Sequence, residues 1–214
     1  MTIWPREELK HSAVVLAPML LGSVIRSGDV AIRLTEVEAY EGLNDPGSHA
    51  FRGPTARSAI MFGRPGVAYI YFSYGMHHCF NVVCGPVGSA SAVLLRGGQV
   101  IEGLEMARSR RNVGRSHPHP DRDLARGPAR LASALGVDLH HNGLDLCDPS
   151  SVVRLETAAL SPGGAVETGP RVGVSGVGGH GTAFPWRFWI VGDPTVSTYR
   201  PAKPRVLRSR MRTN

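Results

Sequence analysis

Two glutamates and a tyrosine stand at alternate positions in residues 35–42, T-E-V-E-A-Y-E-G. Successive side chains of a strand point to opposite faces, so Glu36, Glu38 and Tyr40 share one face and Val37 and Ala39 the other. A carboxylate two residues from an aromatic ring can act on a flat ligand. The ring stacks on it while the carboxylate works at its edge. Taken alone, the pattern fits an edge strand with a solvated acidic face equally well or better.

Other side chains in the chain could serve the same chemistry. Residues 41–58 are rich in Gly, Pro, Asn and Asp and read as a long loop carrying His49, Arg52 and Arg57. Residues 67–84 read as a hairpin unusually rich in aromatics, with Tyr69, Tyr71, Phe72 and Tyr74 before a turn at Gly75, and Asn81 on the returning strand. A large aromatic at the tip of a hairpin is a candidate wedge between nucleic-acid bases. Residues 89–96 form a short apolar strand that ends on Arg96, where a charge often marks the point at which a strand surfaces. Pro128 sits where a helix over residues 128–135 begins, and the free amides there would suit a phosphate, although a plain helix start is commoner.

The elements that must position these residues follow from periodicity. Residues 12–25 are apolar at helical spacing, with Ser12 as a cap, Pro18 as a kink or first turn, and Gly22 near the end. Residues 30–40 read as a strand. Residues 99–111 read as a helix with Ile101, Leu104 and Ala107 inward and arginines at its end. Residues 112–127 are polar and expected to be mobile. Short strands follow at 152–157 and 186–191, on either side of a glycine-rich loop containing Arg171. The pattern predicts one mixed α/β (α+β) domain over residues 1–214. Its frame would be a curved antiparallel sheet with surrounding helices and a protruding hairpin. Residues 1–11 and 201–214 are expected to be flexible ends, the latter carrying five cations.

Composition narrows the function. The net charge is +7 and the pI about 9.9, which favours a polyanionic partner, nucleic acid before membrane. All but two of the 24 cationic residues are arginine; the lysines are Lys10 and Lys203, so amine chemistry has almost no candidates. Three cysteines without a C-x-x-C argue for a reducing, cytoplasmic setting. No signal peptide and no apolar run long enough to span a bilayer is visible. There is no G-x-S-x-G, no P-loop and no dinucleotide fingerprint. His77, His78, Cys79 and Cys84 lie close in sequence, but adjacent strand residues face apart and the spacing fits no zinc site. No metal and no cofactor is expected.

The motifs V-E-A-Y (37–40), His49, Y-I-Y-F-S-Y-G-M (69–76), Asn81 and L-L-R (94–96) together resemble the alkyladenine, or 3-methyladenine, DNA glycosylase family. E-G-L-E-M (102–106), G-P-A-R-L (127–131), R-V-G-V (171–174) and R-F-W-I-V-G-D-P-T-V-S (187–197) extend the resemblance over nearly the whole chain. It implies a monofunctional hydrolase of base-excision repair. Such an enzyme flips an alkylated or deaminated purine out of duplex DNA and cleaves its N-glycosidic bond, leaving an abasic site.

By the same resemblance, Glu38 would deprotonate the attacking water and Arg96 would orient it. Tyr40, His49 and Tyr71 would line the base pocket, and Asn81 would exclude normal guanine. Tyr74 would fill the gap in the duplex, with Met76 supporting it. The scarcity of lysine agrees with hydrolysis rather than a Schiff-base lyase. The partner would be double-stranded DNA containing damaged purines, bound by a monomer in the cytoplasm or nucleoid. His77 and His78 depart from the family pattern and make the wedge more polar, which could make duplex affinity pH-dependent. Glu36 has no role assigned: it could be structural or could tune Glu38. The rivals are a non-catalytic binder of damaged or bent DNA and a nucleosidase for free nucleosides.

Overall fold

The computed structural model describes residues 2–73, 75–157 and 164–202. After a 3-10 turn at Arg6–Lys10, helix α1 (Ala13–Met19) leads into strands β1 (Val24–Ser27) and β2 (Val30–Glu41). The hairpin of β3 (Ala68–Ser73) and β4 (His77–Cys84) follows, then β5 (Ser91–Glu102), helix α2 (Leu104–Arg111) and helix α3 (Pro128–Leu135). Strands β6 (Val153–Glu156), β7 (Val166–Gly169) and β8 (Arg187–Ile190) complete the fold. All strands pair antiparallel in one eight-stranded sheet with the order β3-β4-β5-β2-β1-β6, and β8 joins β2 to β7. The α+β class expected from the sequence is the class observed. No helix among the described residues is long and apolar enough to cross a membrane.

Strand β2 is the axis of the sheet. One edge pairs with β5 along its whole length; the other pairs with β1 over its first residues and with β8 at Glu36–Glu38. The apolar phase of β2 slips by one residue at Thr35. Val30, Ile32 and Leu34 face the main core before it, and Val37 and Ala39 face the same core after it. The slip is a β-bulge: Leu34 pairs with Gly98 and Glu36 with Gly97, so Thr35 is the extra residue. A second bulge compensates it on β5, where Arg96 lies between the paired residues Gly97 and Leu95. An unbroken period of two would have turned Glu36 and Glu38 into the apolar core. The bulge turns them to the other face.

Helices α1 and α3 cover the core face. Leu16 and Ala17 of α1 and Leu20 just after it, with Leu131 and Leu135 of α3, pack against the inward residues of β2, β4 and β5. Pro18 is the next-to-last residue of α1, where its missing N–H removes one bond of the ladder just before the helix stops, and Gly136 ends α3 with φ +71°. The opposite face carries a smaller cluster of Ala50, Met61, Tyr69, Val83, Ala90 and Ala92, built from residues 50–61, the hairpin and the start of β5.

Several expectations are corrected. Residues 99–102 are strand, not helix, because β5 pairs with β2 as far as Ala31↔Glu102. Gly103, at φ +70°, breaks the chain there, and Ile101 is exposed rather than inward. Arg96 is not where a strand surfaces; it is buried within β5. The glutamate face is likewise buried, not solvated. Ser12 makes no side-chain cap to α1. The segment expected to be mobile is anchored near its end by buried Leu124 and Ala125 and by Gly98 N–H donating to the Ala125 carbonyl. Residues 2–11, expected to be flexible, pack down: Leu9 is fully buried, and Arg6 meets Asp145 at 2.6 Å. Residues 203–214, most of the expected basic tail, lie outside the described residues.

The bulge needs backbone room. A Cβ on Gly98 would stand 2.5 Å from the Arg33 carbonyl oxygen and press on Ile32. Gly98→Ala should therefore lose about 1–3 kcal/mol of stability, as overpacking does, read as a lower urea midpoint at unchanged m-value. An unchanged midpoint would show that the strand yields freely.

Candidate active site

Beyond the bulge, the side chains of Glu36, Glu38 and Tyr40 meet those of Arg96 from β5 and Arg187 from β8. Both glutamates are fully buried. Glu36 is held on every side: Oε1 accepts from Arg187 Nε at 2.6 Å, Arg96 Nε at 2.9 Å and Ser197 Oγ at 2.9 Å, and Oε2 accepts from the Ser197 N–H at 2.7 Å. Its contacts give Glu36 a structural part. It binds two guanidiniums and a returning chain segment, and it is absent from the cavity wall.

Glu38 is placed differently. Oε1 accepts from the Val172 N–H at 2.7 Å and lies 3.5 Å from Arg96 Nη1, while Oε2 accepts from the Tyr40 hydroxyl at 3.0 Å. It lines a cavity of about 610 Å³ with Tyr40, His49, Tyr71, Asn81 and Arg96, within the size range of small-molecule sites. Six of the residues anticipated from sequence thus converge on one cavity. Met76 does not line it; it is 68% exposed at the hairpin tip, beside Gly75 at φ +67°. Tyr74 lies outside the described residues.

Burial opposes the charge on Arg96, but Glu38 and Glu36 outweigh it and raise its proton affinity above that of a free arginine. Burial, with the Glu38 charge next, pushes the Tyr40 hydroxyl well above its ordinary value, so it stays a neutral donor. Burial likewise raises Tyr71. Desolvation in the cavity, then the charge of Arg57, lowers His49 from 6.5 to about 4. Its Nδ1 lies 3.1 Å from the Tyr69 hydroxyl, and its ring meets Tyr71 edge-on at 4.7 Å. Asn81 is buried and fixed by its amide, which donates to the Tyr69 carbonyl at 2.9 Å.

Sequence reasoning missed the supports behind these groups. Arg171 is fully buried behind Tyr40, its Cζ 4.5 Å from the ring centre. It forms a bidentate pair with buried Asp45 at 2.5 and 2.6 Å and donates to the carbonyls of Ala39 at 2.9 Å and Gly178 at 2.7 Å. Asp45 Oδ1 also accepts from the Gly47 N–H at 2.8 Å, an Asx turn that the run Asp45-Pro46-Gly47 could have announced. Val172 and Arg187 lie in the motifs R-V-G-V and R-F-W-I, but local sequence carries no signal of their partners, which lie more than 130 residues away.

Two measurements probe this arrangement. Glu36→Ala would leave two buried guanidiniums without their carboxylate and should cost about 3–5 kcal/mol of stability, seen by urea unfolding; a loss under about 1 kcal/mol would contradict the clamp. His49 should stay neutral well below pH 6. Its folded value is depressed, so the unfolded chain binds the extra proton first. This group's contribution to stability is full above pH 6.5 and falls as pH drops toward about 4. An NMR titration midpoint at or above 6.5 would contradict the placement.

The family described as methylpurine-DNA glycosylase matches residues 7–194. A protein of Streptomyces avermitilis, provisionally named 3-methyladenine DNA glycosylase, is 52% identical over 95% of both chains. A relative of the same provisional name from Leifsonia xyli is 55% identical over 91% of this chain and 92% of its own, and one from Mycobacterium bovis is 44% identical over 91% and 93%. With a match of this extent, and a buried carboxylate in an aromatic cavity, the chain belongs to the methylpurine-DNA glycosylase family, the DNA glycosylases of base-excision repair that hydrolyse N-glycosidic bonds.

Proposed function

We propose that Glu38 is the general base of this glycosylase, acting on a damaged purine nucleotide flipped from duplex DNA into the cavity. The observation that carries the reading is the Glu38 carboxylate, buried yet on the cavity wall, and fixed by the Val172 amide, the Tyr40 hydroxyl and Arg96. A water beside it would be correctly placed without reorganisation.

In the proposed step the water oxygen bonds to C1′ as the C1′–N bond breaks. The electron pair of that bond leaves with the purine, and Glu38 takes the water proton. Positive charge builds on the sugar in between, facing the same carboxylate. Arg96 orients the water and, held by Glu36, cannot swing away. Tyr40, Tyr71 and His49 enclose the base. His49 is neutral and serves as a wall and hydrogen-bonding group rather than as an acid. Asn81, locked by the Tyr69 carbonyl, leaves no room to adapt to the exocyclic amine of guanine, so selection works through an unfavourable contact.

The exposed hairpin tip with Met76, together with Tyr74, enters the duplex and offsets the lost stacking. Alkylated and deaminated purines are the substrates, and the protein works as a monomer in the cytoplasm or on the nucleoid. The reaction stops at the abasic site. Lys10, paired with Glu7 at 2.6 Å, lies away from the cavity lining, and among the described residues no lysine stands in that lining to form a Schiff base.

Glu38→Gln should bind a duplex containing hypoxanthine about as tightly as the wild type and lose base release by at least about a hundredfold, scored as alkali-labile sites in single turnover. Wild-type release by this variant would refute the role. Tight lesion binding by the wild type with no release of free purine would favour a non-catalytic binder instead.

A further inference from the structure

We propose that Arg57 sets the charge of the base that the pocket accepts, favouring neutral damaged purines over cationic alkylpurines. The inference rests on the base-pocket reading above and deepens it.

The charged groups buried around the cavity balance. Three carboxylates, Glu36, Glu38 and Asp45, face three guanidiniums, Arg96, Arg187 and Arg171, and all six are buried. Every one of them is paired within this set, at distances of 2.5–3.5 Å. Arg57 stands outside this balance. It lines the same cavity, is exposed to solvent, and no carboxylate pairs with it among the described residues. Its Cζ lies 4.5 Å from the centre of the Tyr71 ring. Two histidines also line the cavity: buried His49 adds no charge near neutral pH, partly because Arg57 is close, and His77 stands exposed at the hairpin end, away from the Tyr71 ring that Arg57 covers. Among the arginines and carboxylates of the cavity, Arg57 is therefore the one uncompensated charge, and it sits against an aromatic wall.

Tyrosine faces ordinarily attract a cation. Here one face of Tyr71 is taken by Arg57, and one face of Tyr40 is taken by Arg171 at the same 4.5 Å. A purine that arrives with a positive charge meets a ring whose attraction for cations is partly used, next to a like charge at the solvent-facing side of the cavity. A neutral purine of the same shape meets the same rings without the repulsion. Arg57 thus works against the lesions whose glycosidic bond is already weakened by charge. It leaves the neutral ones, which need the most help, at a relative advantage.

The test uses the full-length protein and two duplexes of one sequence, carrying 7-methylguanine (cationic) or hypoxanthine (neutral) at the same site. kcat/KM is measured on each for the wild type, Arg57→Gln and Arg57→Lys, with folding checked by circular dichroism. Removing the charge should raise the ratio of cationic to neutral excision on the order of tenfold, and Arg57→Lys should return it close to wild type. An equal loss on both duplexes, with a shallower salt dependence, would mean that Arg57 grips a phosphate and would overturn the proposal; so would an unmoved ratio. Glu38→Gln run alongside separates the two readings. If it is inactive on both duplexes while the Arg57 ratio stays fixed, only the charge-selection inference fails; if it remains active, the pocket reading fails first.

Discussion

The site depends on a slipped strand and the charge it exposes. Thr35 shifts the phase of β2 by one residue, and Arg96 shifts β5 to match. Between the two bulges Glu36 ends up buried, facing Arg96 and Arg187. A buried carboxylate is costly unless its lone pairs are filled, and here they are filled by two guanidiniums, a hydroxyl and an amide. That arrangement fixes Arg96 beside Glu38. It also draws the segment around Ser197 over the back of the site. Remove the slip, and both glutamates would point into the apolar core, where nothing could satisfy them.

Buried ion pairs are a poor way to gain stability, because desolvation offsets most of the attraction. Their use here fits a different purpose, the fixing of geometry. A leucine in place of Arg171 could pack behind Tyr40, but it could not hold Asp45, Ala39 and Gly178 at once. The guanidinium plane ties a loop, a strand and a glycine-rich turn to the back of one ring. A ring so held has little freedom to tilt.

Much of this was legible in the sequence, and the limits have physical causes. The alternation of Glu36, Glu38 and Tyr40 against Val37 and Ala39 put the right groups on one face, and the hairpin was readable from its aromatics and Gly75. The phase change at Thr35 was also visible in the order of apolar residues, but an eight-residue window centred on the glutamates hides it. Residues 99–102 looked helical because local spacing carries no information about the partner strand, which lies some 70 residues earlier. Asp45 and Arg171 looked like ordinary loop residues, since a buried pair formed across 126 positions has no local pattern. Pairings of long range decide the site, and periodicity reports only short range.

The clamp on Glu36 joins positions 161 apart in sequence. During synthesis the amino-terminal strands emerge long before Arg187 and Ser197 do. Until those residues arrive, the carboxylate lacks two of its partners and β2 lacks β8 along the stretch that carries Glu38. The cluster around Glu36 and Glu38 is therefore among the last parts of the molecule to take shape, and loop closure over such a span is slow. A half-made chain lacks the partners that hold Glu36 and, through Arg96, the surroundings of Glu38.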